Sequence, residues 1–202
     1  MSEPFVYLAS QSPRRRELLD QLHIEHVVLA PDLDEDAEAL EVRHGSESPR
    51  AYVRRVTRLK AGAAAARLKR RGLPDAPILV GDTTVAIEQV ILGKPVDADD
   101  ACRILRDLSG RAHRVLTAVA VIRGDRIEEA LSESRVRFRE LTDADIDGYI
   151  ATGEAFGKAG AYGIQGRAAA FVERMSGSHS GIVGLPLYET SQLLHRFGVD
   201  PR

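Results

Sequence analysis

The sequence predicts an α/β fold in which helices pack against one mixed β-sheet and a cleft divides the molecule into two lobes. Short apolar runs rich in β-branched residues, typical of buried strands, alternate along the 202-residue chain with segments of helical spacing. Two strand patterns follow each other across a Gly-Asp turn, which indicates a hairpin. The chain shows no internal repeat, low-complexity tract or linker, so we predict a single domain over residues 1–202.

The first half of the chain is predicted to contain three strands and two helices. A serine followed by a proline begins each helix, as the N-cap and the first helical residue. β-Branched residues run through the third strand, which favours burial on both faces. The predicted strands cover residues 5–9, 26–30 and 78–87, and the predicted helices cover residues 13–22 and 48–71.

The second half is predicted to add a hairpin, three helices and a further strand. His113 and His179 are candidate bases, but the favoured interpretation is that His113 is a strand residue and His179 a loop residue. The helices are predicted from Asp97 to Ser109, from Thr142 to Ile150 and from Gly184 to Gly198, the hairpin strands at 113–122 and 126–141, and the last strand at 168–177.

The composition narrows the class of protein. Lys and Arg total 28 against 30 for Asp and Glu, so the net charge is −2 and a broadly basic nucleic-acid surface is not expected. The single cysteine, Cys102, excludes an intramolecular disulfide and a cysteine-rich metal cluster. The sequence has no apolar run of roughly 20 residues and no leader pattern. We therefore expect a cytoplasmic protein that binds neither nucleic acid nor membrane.

The rarity of lysine in this chain singles out individual lysines as candidate site residues. Only four of the 28 basic residues are lysines, so arginine is the ordinary cation of this chain. A lysine retained against that bias can mark a place where a compact ammonium is needed. Lys60, Lys94 and Lys158 lie next to glycine or other small residues and are candidates for a site, whereas Lys69 fits a solvated helix face. For any one of them the alternative is chance.

Asp82 lies inside the third predicted strand, directly after a glycine. A buried carboxylate is costly unless it is paired, hydrogen-bonded or bound to a metal. This makes Asp82 a candidate functional residue, because locally disfavoured residues often mark sites. The alternative is an aspartate that caps a turn.

An acidic cluster follows the second predicted strand. Carboxylate oxygens are suitable ligands for a hard cation such as Mg²⁺, which often takes one or two of them together with substrate phosphate. The alternative is a solvated acidic loop. The cluster comprises Asp32, Asp34, Glu35 and Asp36.

The segment GKAGAYGIQG, residues 157–166, has the highest glycine density of the chain. Glycines allow a backbone to approach a ligand closely. With the charge of Lys158 and the amide of Gln165, such a loop could hold phosphates and read a base edge. The alternative is a tight structural loop.

Three arginines, Arg14, Arg15 and Arg16, stand at the start of the first predicted helix. Cations are disfavoured there by the helix dipole, unless a polyanion binds at the same place. Guanidinium groups and backbone N–H groups would then both address phosphate oxygens. The alternative is simple surface coverage, which we accept for Arg16.

Taken together, these stretches resemble the Maf family of nucleotide pyrophosphatases. The similarity runs in family order through LASQSPRRRELL, PDLDED, RLKAGAA, VGDTTV, ILGKP, LSGRAHRVLTAV, GKAGAYGIQG and GLPL. The resemblance implies one Maf-like domain with an elongated, mixed-sheet α/β fold similar to that of inosine triphosphate pyrophosphatases, with two lobes around a cleft. It also implies hydrolysis of dTTP or UTP to the monophosphate and pyrophosphate, a divalent cofactor (Mg²⁺ or Mn²⁺), and a homodimer.

The resemblance also implies roles for individual residues. Asp82 matches the family's catalytic aspartate, with Lys60 and Lys94 beside it, and Glu35 is expected to bind metal together with Asp82. The substrate-binding residues are expected to be Ser10, Arg14, Arg15, Thr83, Lys158 and Gln165.

Two alternative functions belong to other classes. One is a non-catalytic nucleotide-binding regulator of cell division, against which the combination of a buried aspartate and several lysines argues. The other is a nucleic-acid binder that uses Arg14–Arg16, against which the balanced charge and the absence of Trp argue.

Overall fold

A computed structural model describes residues 5–32, 35 and 39–201 of the chain. It contains seven strands and six helices within these residues. The strands are β1 (Val6–Leu8), β2 (His26–Val28), β3 (Ile78–Ile87), β4 (Val90–Leu92), β5 (Ala112–Arg123), β6 (Arg126–Phe138) and β7 (Val172–Ser176). The helices are α1 (Pro13–Asp20), α2 (Pro49–Arg70), α3 (Ala98–Leu108), α4 (Asp143–Ile150), α5 (His179–Val183) and α6 (Leu187–Arg196).

The strands form one mixed sheet, in the order β2–β1–β3–β5–β6–β7, with β4 attached to β3. β1 pairs in parallel with β2 and β3, and the pairs β3–β5, β5–β6, β6–β7 and β3–β4 are antiparallel. The predicted α/β class and the mixed sheet are confirmed. No helix of the described residues combines the length and the apolar character that crossing a bilayer requires.

Long, continuous apolar patterns were predicted best. β3 spans residues 78–87, as expected, and the hairpin turns between Arg123 and Arg126. The predicted N-cap of α2 is confirmed, since the Ser48 hydroxyl accepts a hydrogen bond from the Ala51 N–H at 3.3 Å. At α1, the Ser12 side chain makes no capping bond, and the Ser12 N–H donates to the Ser10 hydroxyl at 3.1 Å.

Several short elements differ from the prediction. The strand expected over 168–177 is wrong in its first part, because residues Arg167–Phe171 form a 3₁₀ turn and β7 begins only at Val172. His179 was expected in a loop but begins α5. β4 was not predicted, since three residues are too few to establish an alternating pattern.

Apolar side chains pack in separate clusters at the two ends of the long strands. At one end, the last residues of β3 pack with α3 and α4, where Leu108, Phe138 and Ile146 are buried. At the other end, the first residues of β3 pack with α1 and α6 on one face and with α2 on the other. The middle of β3 lies between these ends, and the predicted cleft opens there.

Candidate active site

The cleft lies where one edge of β3 has no neighbouring strand. β1 pairs with the start of β3 at Ile78 and Leu79, and β4 pairs with its end, beginning at Val85. Between them, residues 80–84 have no strand partner on this edge within the part of the chain that the structure describes. The interruption leaves the backbone and side chains of residues 81–84 facing the cleft.

The cleft has a volume of about 670 Å³, within the range of small-molecule sites. Most of the predicted site residues line it, whereas Arg14 and Gln165 are outside its lining. The predicted residues that line it are Ser10, Arg15, Glu35, Lys60, Asp82, Thr83, Lys94 and Lys158.

Asp82 and two lysines form a connected set of charges. Asp82 is only 7% exposed, and its Oδ1 accepts a hydrogen bond from Lys60 Nζ at 2.6 Å. Lys60 extends from α2, which packs closely over β3 because Ala61 and Ala64 are small and fully buried. The same ammonium donates to Glu41 Oε1 at 2.8 Å, and Lys94 Nζ donates to Glu41 Oε2 at 3.1 Å.

Glu41 also lines the cleft, although the sequence did not single it out. It ends a 3₁₀ turn, Ala39–Glu41, within a polar segment that contains several acidic residues. The lysine bias singled out Lys60 and Lys94, and a partly buried lysine needs a counter-anion. Sequence spacing alone does not tell which acid of this segment supplies it.

Glu35 lines the cleft but is bound to α2. Its carboxylate accepts hydrogen bonds from Arg67, at 3.0 Å from Nε to Oε1, and from Arg70. The Arg67 hydrogen bond is the main cause that lowers the pKa of Glu35 to about 2. Of the acidic cluster, Asp32 also pairs with Arg70, and Asp34 and Asp36 lie outside the described residues.

Arg15, one of the three arginines at the start of α1, reaches the cleft. Its Nε donates to the Gly184 carbonyl at 2.8 Å, and its terminal nitrogens donate to the hydroxyls of Ser10 and Thr83, both at 3.3 Å. Although Arg15 is partly exposed at the cleft wall, burial of the guanidinium lowers its pKa, an effect that Asp82 partly offsets. The guanidinium is therefore a fixed cation, whereas Arg16 is exposed.

A second group of residues lies at the far end of the cleft, on the glycine-rich loop. The Lys158 ammonium donates to the Glu154 carbonyl, and burial followed by the charge of Arg14 lowers the pKa of Lys158. A Cβ at Gly163 would lie 3.1 Å from Lys158 Cε and 3.4 Å from Gln165 Oε1. Glycine at this position therefore lets Lys158 and Gln165 approach each other, and Gln165 itself is exposed.

A family model described as "Maf-like protein" matches residues 5–197. The chain belongs to the Maf-like family. Relatives named dTTP/UTP pyrophosphatase include one from Albidiferax ferrireducens, 60% identical over 98% of both chains, and one from Burkholderia pseudomallei, 62% identical over 96% of this chain and 93% of the other. Among solved structures, the Staphylococcus aureus Ham1 protein is similar with 15% identity and a TM-score of 0.41, over 68% of this chain and 72% of that chain.

The carboxylates of this Maf-like chain fit a divalent cation shared with a substrate. Asp82 and Glu41 both line the cleft and bind the ammonium of Lys60, which stands between their oxygens, so a divalent ion would need phosphate oxygens to complete its ligands. The described residues include no group of three or more His, Cys, Asp or Glu side chains that could enclose a metal. One or two carboxylates completed by phosphate oxygens are the usual protein environment of Mg²⁺ with nucleotides.

Proposed function

We propose that this chain hydrolyses dTTP and UTP to the nucleoside monophosphate and pyrophosphate. The observation that carries the proposal is the buried Asp82 carboxylate, 2.6 Å from Lys60 Nζ, in a cleft that also holds Arg15 and Lys94. A buried carboxylate beside cations is suited to activate the water that attacks a polyphosphate, whose own charge the cations neutralise. Relatives about 60% identical over almost the whole chain are named dTTP/UTP pyrophosphatase, which supports the substrate class.

In this reaction the cations hold the polyphosphate. Lys60, Lys94 and Arg15 bind its oxygens and stabilise the charge that builds up on the departing pyrophosphate. Arg15 is rigidly held by Gly184, so it is organised for this role before the substrate arrives. Such catalysis consists mainly of positioning and electrostatic stabilisation.

Asp82 acts on the attacking water. Its carboxylate accepts the water proton, while Lys60 holds the carboxylate in place. In the alternative, Asp82 would only bind a divalent ion and orient the water. A bound Mg²⁺ or Mn²⁺ would polarise phosphate oxygens and offset their charge. Asp82 would hold the ion, with Glu35, which also lines the cleft, as the second ligand.

The base lies toward the glycine-rich loop. Gln165 offers an acceptor and a donor, which match the N3–H and O4 groups of uracil or thymine. Arg14, Thr83 and Lys158 position the sugar and phosphates around it. We further propose that the chain acts in the cytoplasm, where its substrates are, and as the homodimer that the family resemblance implies.

A panel of triphosphates with Mg²⁺ or Mn²⁺ tests the proposed function. We expect turnover of dTTP and UTP to exceed that of CTP, dCTP, ATP and GTP, with pyrophosphate released. Turnover of none of these compounds, with nucleotide binding retained, would instead favour a non-catalytic nucleotide-binding regulator. Preference for a purine triphosphate would contradict the substrate assignment.

A further inference from the structure

Glu41 accepts hydrogen bonds from Lys60 and Lys94, the two lysines that bind the polyphosphate in the proposed function. One carboxylate oxygen is 2.8 Å from Lys60 Nζ and the other is 3.1 Å from Lys94 Nζ. The carboxylate thus stands at the place where phosphate oxygens would have to bind these lysines.

The position of Glu41 is fixed by the surrounding structure. The Tyr52 hydroxyl donates to the Glu41 backbone carbonyl at 2.8 Å, and Arg55 donates to the carbonyl of Val42 at 2.8 Å. Arg55 also binds Glu47 at the other end of the segment. The segment 41–47 is therefore fastened to α2 at three points, and Glu41 is aimed into the cleft by this attachment.

Glu41 is a charged group at neutral pH. Burial by itself would raise the pKa of Glu41, but the charges and hydrogen bonds of Lys60 and Lys94 outweigh it, and the pKa is lowered. With Asp82 on the other side of Lys60, two carboxylates and two ammonium groups lie in direct contact. Their formal charges cancel, so the pair of lysines attracts a bare polyphosphate far less than two uncompensated lysines would.

We propose that Glu41 is an internal counter-anion that makes polyphosphate binding depend on a divalent cation. Without the cation, Glu41 competes with the polyphosphate for Lys60 and Lys94. A divalent cation bound with the polyphosphate would offset the repulsion between the Glu41 carboxylate and the phosphates. This inference rests on the proposed function and adds a positioning residue that selects the metal-bound form of the substrate.

The test measures binding and does not depend on turnover. The ligand is a dTTP analogue with a methylene group between the α and β phosphorus atoms, which resists hydrolysis at that linkage. Its Kd is measured by calorimetry in EDTA and in excess Mg²⁺, for the wild type, Glu41→Gln and Glu47→Gln. Glu47 is the matched control, since it carries the same charge in the same segment but binds Arg55 and does not line the cleft. Glu47→Gln keeps a side-chain oxygen that accepts from Arg55, so the attachment of the segment is retained.

For the wild type and Glu47→Gln, we expect the Kd in EDTA to be at least tenfold higher than the Kd in Mg²⁺. For Glu41→Gln, the Kd in EDTA should be at least tenfold lower than that of the wild type. The difference between the Kd values in EDTA and in Mg²⁺ should then largely disappear. If Glu41 only held the lysines in place, Glu41→Gln would bind the analogue more weakly than the wild type in EDTA. Unchanged or weaker binding by Glu41→Gln in EDTA would overturn the proposal.

Two further measurements separate the possible failures. Thermal unfolding of each variant verifies folding, and Glu41→Ala, which also removes the charge, should tighten metal-free binding in the same direction. If the wild type hydrolyses dTTP normally but Glu41→Gln binds as the wild type does, only the role of Glu41 fails. If the wild type neither hydrolyses dTTP nor binds the analogue, the proposed function fails together with this inference.

Discussion

Asp82 shows how a single unfavourable residue marks the site. Its carboxylate lies in the middle of a strand whose other residues are apolar, threonine or glycine, and it is 7% exposed. Burying a carboxylate without a partner would cost several kcal/mol. Lys60, held on α2, supplies the partner, so helix and strand must pack in one particular register for the charge to be tolerated.

Replacing Asp82 tests its chemical role. Asp82→Asn keeps the size of the side chain and an oxygen for Lys60, but it removes the base and the charge. We expect turnover of dTTP to fall by roughly 10²–10⁴-fold, the usual contribution of a general base, with little change in Tm. Asp75→Asn, at an exposed aspartate paired with Arg123, is the control and should keep full activity. Near-normal turnover of Asp82→Asn would remove Asp82 from the mechanism.

Replacing Gln165 tests how the base is read. If the Gln165 amide pairs with the uracil edge, Gln165→Ala should reduce the ratio of kcat/KM for UTP over CTP toward unity, since the lost hydrogen bonds discriminate between the two edges. Steady-state kinetics with both nucleotides measures the ratio. Arg167→Ala, an exposed neighbour in the next turn, serves as the control. An unchanged ratio would show that Gln165 does not read the base.

His113 predicts a pH dependence of stability. It is 1% exposed, its Nε2 lies 2.8 Å from the Tyr162 hydroxyl, and burial lowers its pKa to about 4 from an ordinary value near 6.5. The unfolded chain therefore binds a proton as the pH falls from about 6.5 to 4 while the folded chain does not. The free energy of unfolding should decrease by about 1.4 kcal/mol per pH unit across this window, and by roughly 3 kcal/mol in total.

Urea unfolding at a series of pH values checks this dependence. His113→Gln cannot titrate, so its free energy of unfolding should lose most of the slope between pH 6.5 and 4.5. The exposed His179 provides the control variant, His179→Gln, which should keep the wild-type slope. Equal slopes for all three proteins would show that His113 is not the group responsible.

At the scale of elements, the 3₁₀ turn Ala159–Ala161 closes the cleft against β3 at a glycine. Gly160 has a φ of +73°, and a Cβ there would lie 2.8–2.9 Å from side-chain atoms of Val85. Gly153 has a similar φ of +76°, but nothing lies within 4 Å of a Cβ at that position. The two glycines therefore separate backbone strain from steric overlap.

Alanine substitutions at these glycines should differ in cost. Gly153→Ala carries only the strain of a left-handed residue, about 1–2 kcal/mol. Gly160→Ala adds an overlap with Val85 that costs typically 1–3 kcal/mol more. Urea unfolding measures both free energies, and equal destabilisation would contradict the close packing of the loop on β3.

The elements also show which features of the fold a sequence can predict. β3 was predicted over its full length because a continuous β-branched run admits few other structures. β4 was not predicted, yet its pairing with the end of β3 forms one boundary of the cleft. Among site residues, Lys60 and Asp82 stood out against their local sequence. Glu41 did not, because its role arises from the tertiary approach of a polar loop to α2.

At the scale of the whole molecule, the central claim is that the cleft in the middle of the sheet directs water to the linkage between the α and β phosphates of dTTP. The packed ends of the sheet flank the cleft, and the cations Arg15, Lys60 and Lys94 collect on its walls. ³¹P NMR of dTTP incubated with the protein and Mg²⁺ tests this claim most directly. The account predicts dTMP and pyrophosphate in equal amounts from the first turnover onward, whereas dTDP and orthophosphate would contradict it.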